Sequence, residues 1–109
     1  MADTLKVLAQ SAPAATTETT MYTVGAGKEA TISTLTVCNR AATTASFRIT
    51  VAVAGAVTAN NQYIYYDQAI DGNSSFAVTI GITLAATDVI RVYASTANLS
   101  FNLFGVEVA

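Results

Sequence analysis

Apolar and polar residues alternate along much of this chain. In the segment 45–53, ASFRITVAV, every second residue from Phe47 to Val53 is large and apolar. The same period of two returns in 75–80 and 99–103. This is the repeat of a strand that has one face on a core. We therefore predict three half-buried strands whose apolar residues face a common core.

Five further segments are rich in β-branched, aromatic or aliphatic residues and are also predicted strands: 5–8, 21–24, 31–39, 62–66 and 89–94. Turn-forming residues such as Asp71-Gly72-Asn73 separate them. Within 31–39 the apolar parity changes between Ile32 and Leu35. This change predicts a bulge near Ser33, or a strand that passes from one sheet to the other.

These gaps are too short for crossover helices, which parallel strands would need. We therefore predict an all-β fold, a single antiparallel β-sandwich domain of about eight strands spanning residues 1–109. Its topology is jelly-roll or Ig-like, and eight short strands favour the jelly-roll slightly. Pro13 and the threonines that follow it make 10–20 either an extended arm over a neighbouring subunit or an ordinary loop.

The composition leaves few residues to charge the surface. The chain is 52% hydrophobic and 11% charged, against roughly a quarter charged in an average soluble protein. Much of the surface must then be Thr, Ser, Asn and Ala, with little charge repulsion between copies. A subunit buried among neighbours would tolerate such a surface. The alternative is a stable monomer coated in Thr and Ser.

Several classes of partner find no support in the sequence. The formal net charge is −2 and the five basic residues are scattered, so we expect no nucleic-acid partner. Without a long apolar run, and with Asp3 near the N-terminus, we expect neither a membrane span nor a signal peptide. The lone Cys38 cannot form an intrachain disulfide and is predicted to be a buried, inert thiol.

Catalytic chemistry is also poorly represented. The chain has no histidine, which excludes Ser–His and Cys–His nucleophile pairs. Asp67 and Asp71 are the best candidates for a catalytic pair of carboxylates. However, an exposed position explains Asp67, and the turn that Asp71 forms with Gly72 explains Asp71. The turn 71–75 lacks the pattern of a calcium loop, and the hairpin-like 25–28 lacks that of a phosphate loop. We therefore predict no enzyme, no cofactor and no bound metal.

Tyrosine and arginine are the candidate interface residues. In a regular strand Tyr63 and Tyr65 share one face while Ile64 and Tyr66 share the other, so we expect at least one tyrosine pair on the outer surface of the sheet. There it would either contact a partner or join an aromatic ladder within the sheet. Arg48 and Arg91 have apolar neighbours in their strands and should point outward, towards carboxylates or carbonyls of a partner.

Several segments of the chain resemble those of small β-sandwich virion proteins of tailed bacteriophages: 4–13 (TLKVLAQSAP), 37–40 (VCNR), 62–67 (QYIYYD), 80–93 and 98–105. The resemblance implies a structural subunit, namely a decoration or cement protein on the capsid. The alternative is an accessory subunit of the tail, neck or baseplate.

The resemblance assigns no functional residues. It implies assembly in the bacterial cytoplasm, localisation in the virion and contacts with other virion proteins, above all the major capsid protein. A homo-oligomer is expected, with a trimer as the first guess. A cell-surface or carbohydrate-binding β-sandwich module is the alternative from another class.

Overall fold

A computed structural model describes residues 3–109. Met1 and Ala2, the start of the N-terminal segment considered above, lie outside the described residues. The described chain contains two short 3-10 turns at Val53–Gly55 and Asn60–Gln62 and eight strands: β1 Asp3–Ser11, β2 Thr19–Thr23, β3 Glu29–Asn39, β4 Ala45–Ala52, β5 Tyr63–Ile70, β6 Ser75–Leu84, β7 Val89–Ala94 and β8 Leu99–Val108. The all-β prediction is confirmed, and each predicted strand corresponds to one observed strand.

The strands form two four-stranded antiparallel sheets packed face to face. Sheet A has the order β1-β8-β3-β6 and sheet B the order β2-β7-β4-β5. The strands pair as β1 with β8, β2 with β7, β3 with β6 and β4 with β5. Successive strands alternate between the two sheets except β4 and β5, which are neighbours in sheet B. This is the eight-stranded order of a jelly roll, and it differs from the Ig order.

The core between the sheets is built from the predicted apolar parities. Phe47 of β4 lies at its centre, with ring centroids 5.5 Å from Phe76 and 5.9 Å from Phe101. Leu99, Phe101 and Leu103 of β8 are almost completely buried, as predicted. The predicted inward residues of β6, from Phe76 to Ile80, are only half-buried but pack against the same core. They are less covered because β6 is an edge strand.

The predicted bulge in β3 is present. The pairing of β3 shifts between Ile32 and Thr34 against both neighbouring strands. The Ser33 hydroxyl donates a hydrogen bond to the Phe104 carbonyl, 3.1 Å away. Both Ile32 and Leu35 are thereby buried in the core.

Two sequence predictions about burial are wrong. Val53 is 71% exposed because β4 ends one residue earlier, at Ala52. Cys38 is exposed because the β3 bulge turns Leu35 and Val37 inward and leaves Cys38 on the outer face. Val51, the preceding residue of the predicted inward set, does pack against the core, although it is only half-buried.

The segment 10–20 divides among three parts of the fold. Its first two residues end β1, its last two begin β2, and 12–18 connects sheet A to sheet B. Ala15 forms a bridge with Ala94, and the Thr16 amide donates to the Ala94 carbonyl at 2.8 Å. The connecting residues are exposed apart from Pro13. Contact of this segment with a neighbouring subunit stays a prediction.

Two buried polar side chains fix the loops at the ends of the sandwich. The Asn39 amide donates to the Thr43 and Ile70 carbonyls, and its oxygen accepts from the Ala41 amide. Asp88 accepts from the Ala54 and Ala85 amides, each at 2.9 Å. Because buried polar groups are costly unless they are paired, these contacts hold both ends of the molecule in one arrangement.

Candidate interaction surfaces

Arg48 is enclosed by two aromatic rings on the outer face of sheet B. Its guanidinium carbon lies 4.3 Å from the ring centroid of Tyr66 and 4.4 Å from that of Tyr93. Its Nε donates to Asp67 Oδ1 at 2.6 Å and its Nη2 to Asp67 Oδ2 at 3.3 Å. We call these four residues the Arg48 cluster.

The charges of this cluster neutralise each other. The hydrogen bond that Arg48 donates to the Asp67 carboxylate raises the pKa of the Arg48 guanidinium further above its already high value. The side chains of Arg48 and Asp67 retain 27% and 46% of their exposure, so solvent weakens the pairing energy. Arg48 points outward as predicted, but its carboxylate partner lies in the same chain.

The three candidate tyrosines do not follow a regular alternation. Tyr65 is half-buried and packs inward, with ring centroids 5.9 Å from Phe47 and 5.3 Å from Phe76. Tyr63 and Tyr66 contact each other edge-to-face at 4.9 Å. The prediction that Tyr63 shares the face of Tyr65 is therefore not supported by these contacts.

Bulges in β5 explain this arrangement. The β4–β5 pairing shifts twice, between Phe47 and Ile49 and between Ile49 and Thr50, and each shift inserts an extra residue into β5. At the bulge Asp67 has a φ of 50°, a left-handed conformation that Asp adopts more readily than most residues. This conformation accompanies the placement of its carboxylate against Arg48.

Arg91 holds the long β4–β5 loop, residues 53–62, across the outer face of sheet B. Its guanidinium donates to the Gly55 and Ala56 carbonyls at 3.1 and 2.8 Å and to the Thr58 hydroxyl at 3.2 Å. The Thr58 hydroxyl in turn donates to Glu18 at 2.7 Å. Arg91 meets carbonyls, as predicted for an outward arginine, but they belong to its own loop.

Large apolar side chains are exposed on the outer face of sheet A. Leu5 is 82% exposed and Val7 is 48% exposed. In the β1–β8 pairing Leu5 lies beside Val106, and Val7 beside Phe104. We define the apolar strip by its five residues: Leu5, Val7, Phe104, Val106 and Val108.

Polar side chains lie on the opposite, inward face of the same strands. Lys6 Nζ lies 2.7 Å from Glu107 Oε1. The hydroxyl of Tyr22, from sheet B, donates to Glu107 Oε2 at 2.6 Å. At this end of the sandwich the usual order is therefore inverted, because charge lies between the sheets and apolar residues face outward.

The environment shifts two pKa values in this network. Hydrogen bonds from Lys6 and then Tyr22 lower the pKa of Glu107 below its ordinary value. Burial, together with the adjacent Glu107 carboxylate, raises the pKa of Tyr22. The network therefore favours a charged Glu107 and a neutral Tyr22.

The sequence analysis did not predict the apolar strip. In 104–108, FGVEV, the alternation is regular and Glu107 occupies the parity opposite to the apolar residues. That parity is inward, continuous with the buried Leu103 and Gly105. Extending the 99–103 alternation through Glu107 would have predicted an outward apolar strip.

A second group of exposed apolar residues lies on and beside the 53–62 loop. It comprises Val53, Val57, Ile64 and Tyr66, of which Val57 is 89% exposed. The loop covers part of the outer face of sheet B, whereas sheet A has no comparable cover among residues 3–109.

Within residues 3–109, no three His, Cys, Asp or Glu side chains come together in a way that could hold a metal ion. The same residues contain no helix with the length and apolar character needed to cross a membrane. Comparison of the chain with protein families, curated proteins and solved structures found no match.

Proposed function

We propose that this chain is a non-enzymatic structural subunit of a virion, a capsid decoration or cement protein that stabilises a phage head. Its partners are other virion proteins, above all the major capsid protein. It is incorporated into the virion after synthesis in the cytoplasm of the bacterial host. The observation that carries this proposal is the apolar strip on sheet A.

The strip supports a protein partner because its side chains would otherwise remain in water. Full burial of one large aliphatic side chain contributes about 1.5–3 kcal/mol. Exposed apolar patches commonly mark interaction sites. The inverted polarity strengthens this argument, since the polar residues Lys6 and Glu107 face inward while Leu5 and Val106 face solvent.

The charge arrangement points in the same direction. Four basic side chains, Lys6, Arg40, Arg48 and Arg91, have partners within the chain. Only 11% of the chain is charged, and Lys6 and Arg48 are paired with carboxylates, so little unpaired charge is left to make attachment depend on ionic strength. We expect particle binding driven mainly by apolar contact and only weakly sensitive to salt.

The test is co-sedimentation of the purified chain with capsids and, separately, with tails of the phage that encodes it. Saturable binding to capsids is expected. Leu5→Ser should weaken this binding about ten- to a hundredfold, because it removes one aliphatic contact. Val57→Ser is the matched control, since Val57 is also highly exposed, at 89%, but lies on the loop over sheet B.

Each outcome separates the candidate functions. Binding to tails alone would replace the capsid assignment with a tail, neck or baseplate role. Binding to neither particle would overturn the virion proposal, and a glycan screen would then test the carbohydrate-binding alternative. If Val57→Ser, rather than Leu5→Ser, weakened capsid binding, the attachment surface would be the loop over sheet B.

A further inference from the structure

The sandwich has four edge strands, and three of them each combine two features that hinder pairing with another strand. β1 is interrupted by a bulge between Val7 and Ala9 and carries Lys6. β2 has only five residues and an irregular pairing between Thr20 and Tyr22. β5 contains two bulges and the left-handed Asp67. Natural proteins use short, bulged or charged edges to prevent unwanted association.

The fourth edge, β6, shares only one of these features, an extra residue between Thr79 and Ile82 opposite Ser33 of β3. Its ten residues, SFAVTIGITL, include neither a charge nor a proline. Inward and outward residues alternate without interruption from Ser75 to Leu84. One side of β6 pairs with β3, and no strand among residues 3–109 pairs with the other. Its backbone is therefore available to a further strand.

Gly81 provides a second observation on this edge. A Cβ at Gly81 would meet no atom within 4 Å, and its φ is not in the left-handed region. Neither close packing nor backbone conformation within the described chain therefore requires a glycine here. A glycine inside a strand often marks a bulge or the close approach of another backbone. Gly81 lies in the stretch of β6 that holds the extra residue, and the open space at its Cβ position leaves room for another backbone.

We propose that β6 pairs antiparallel with β6 of a second copy of this chain, around a two-fold axis at Thr79. In this register Thr79 faces its counterpart, Ala77 faces Gly81 and Ser75 faces Thr83. Val78 then faces Ile80 on the inner side. Outward small residues meet small ones, inward apolar residues meet apolar ones, and no like charges oppose each other.

The contact would join two copies of sheet A into one eight-stranded sheet. The half-buried Val78 and Ile80 would gain cover from the second copy. The axis is perpendicular to the sheet, so both apolar strips would lie on the same face of the dimer. This two-fold contact also differs from the trimer that the sequence suggested.

The experiment is sedimentation equilibrium of the chain alone, without particles, so its outcome is independent of the virion proposal. The wild-type chain should form a reversible dimer. Thr79→Lys and Thr79→Glu should each weaken dimerisation about tenfold, because like charges would meet at the axis. An equimolar mixture of the two variants should associate as tightly as the wild type or more tightly.

Thr31→Lys is the matched control, because Thr31 is also an exposed threonine on the outer face of sheet A but lies in the inner strand β3. Circular dichroism confirms that each variant folds. A monomeric wild type, a trimer insensitive to Thr79→Lys, or equal weakening by Thr31→Lys would overturn the proposal. Failure of the Lys and Glu variants to associate with each other would overturn the register.

Discussion

At the scale of single residues, Gly105 lies so close to the backbone of β3 that no side chain fits there. This residue lies opposite Ile32 in the β3–β8 pairing, next to the β3 bulge. A Cβ at Gly105 would overlap the Thr31 carbonyl oxygen and would also lie 3.1 Å from the Ile32 Cα. Both contacts are with backbone, so no side-chain rotation can relieve them.

We therefore expect Gly105→Ala to lower the free energy of unfolding by about 1–3 kcal/mol, the usual cost of overpacking. Gly81→Ala is the control, since a methyl group there meets open space. It should be neutral, or stabilising by about 0.4–1 kcal/mol through the unfolded state. Urea unfolding at concentrations where the chain is monomeric measures both. Equal destabilisation by the two substitutions would contradict this account.

At the scale of elements, the hydrogen bonds of Tyr22 and Glu107 join β2 to β8 across the two sheets. Because the pKa of Glu107 is lowered on folding, its stabilisation is present above the ordinary value of 4.5 and is lost as the pH falls through the folded value. The pKa of Tyr22 is raised, so its stabilisation is present below 10.0 and is lost as the pH rises through the folded value.

Urea unfolding across this pH range should therefore show stability falling in acid below 4.5 and in alkali above 10.0. Tyr22→Phe keeps the ring and removes the hydroxyl, so it should remove the contribution of Tyr22 to the alkaline fall. Part of the acid fall should remain, because Lys6 still contacts Glu107. An unchanged alkaline fall in Tyr22→Phe would exclude this role for Tyr22.

The elements also show what the sequence can predict. Period-two patterning located β4, β6 and β8 because burial on one face selects every second residue, and the β-forming residue types located the other five strands. A parity change between Ile32 and Leu35 was sufficient to predict the β3 bulge. The β5 bulges left no such signal, because Tyr63, Tyr65 and Tyr66 are amphipathic and fit either face. Their placement depends on the register with β4, which local sequence does not specify.

The candidate site was predicted less completely than the fold. Arg48 and Arg91 do point outward, but their partners, Asp67 and the loop 53–62, come from other elements. Alternation along a strand predicts which face of the sheet a side chain occupies, but it does not predict which residues of other elements that side chain contacts. Cys38 shows the same limit, since its exposure depends on a bulge five residues earlier in β3.

At the scale of the whole molecule, the pairing order sets how far apart in sequence the contacting residues are. β4 and β5 pair next to their connecting loop, so Thr50 lies opposite Tyr63. β1 and β8 pair from the two ends of the described chain, so Asp3 lies opposite Val108. The β3 pairings with β6 and β8 are also long-range. Proteins dominated by such contacts fold slowly, over about milliseconds to seconds.

Because loop closure is least costly for β4 and β5, we expect this pair to form early and the β3 and β1 pairings with β8 to form late. Ile49→Val in β4 and Ile32→Val in β3 are matched tests, since both side chains are fully buried. Each should cost about 1 kcal/mol. In stopped-flow experiments Ile49→Val should mainly slow refolding, whereas Ile32→Val should mainly accelerate unfolding. The reverse result would place the folding nucleus in sheet A, where β3 is an inner strand.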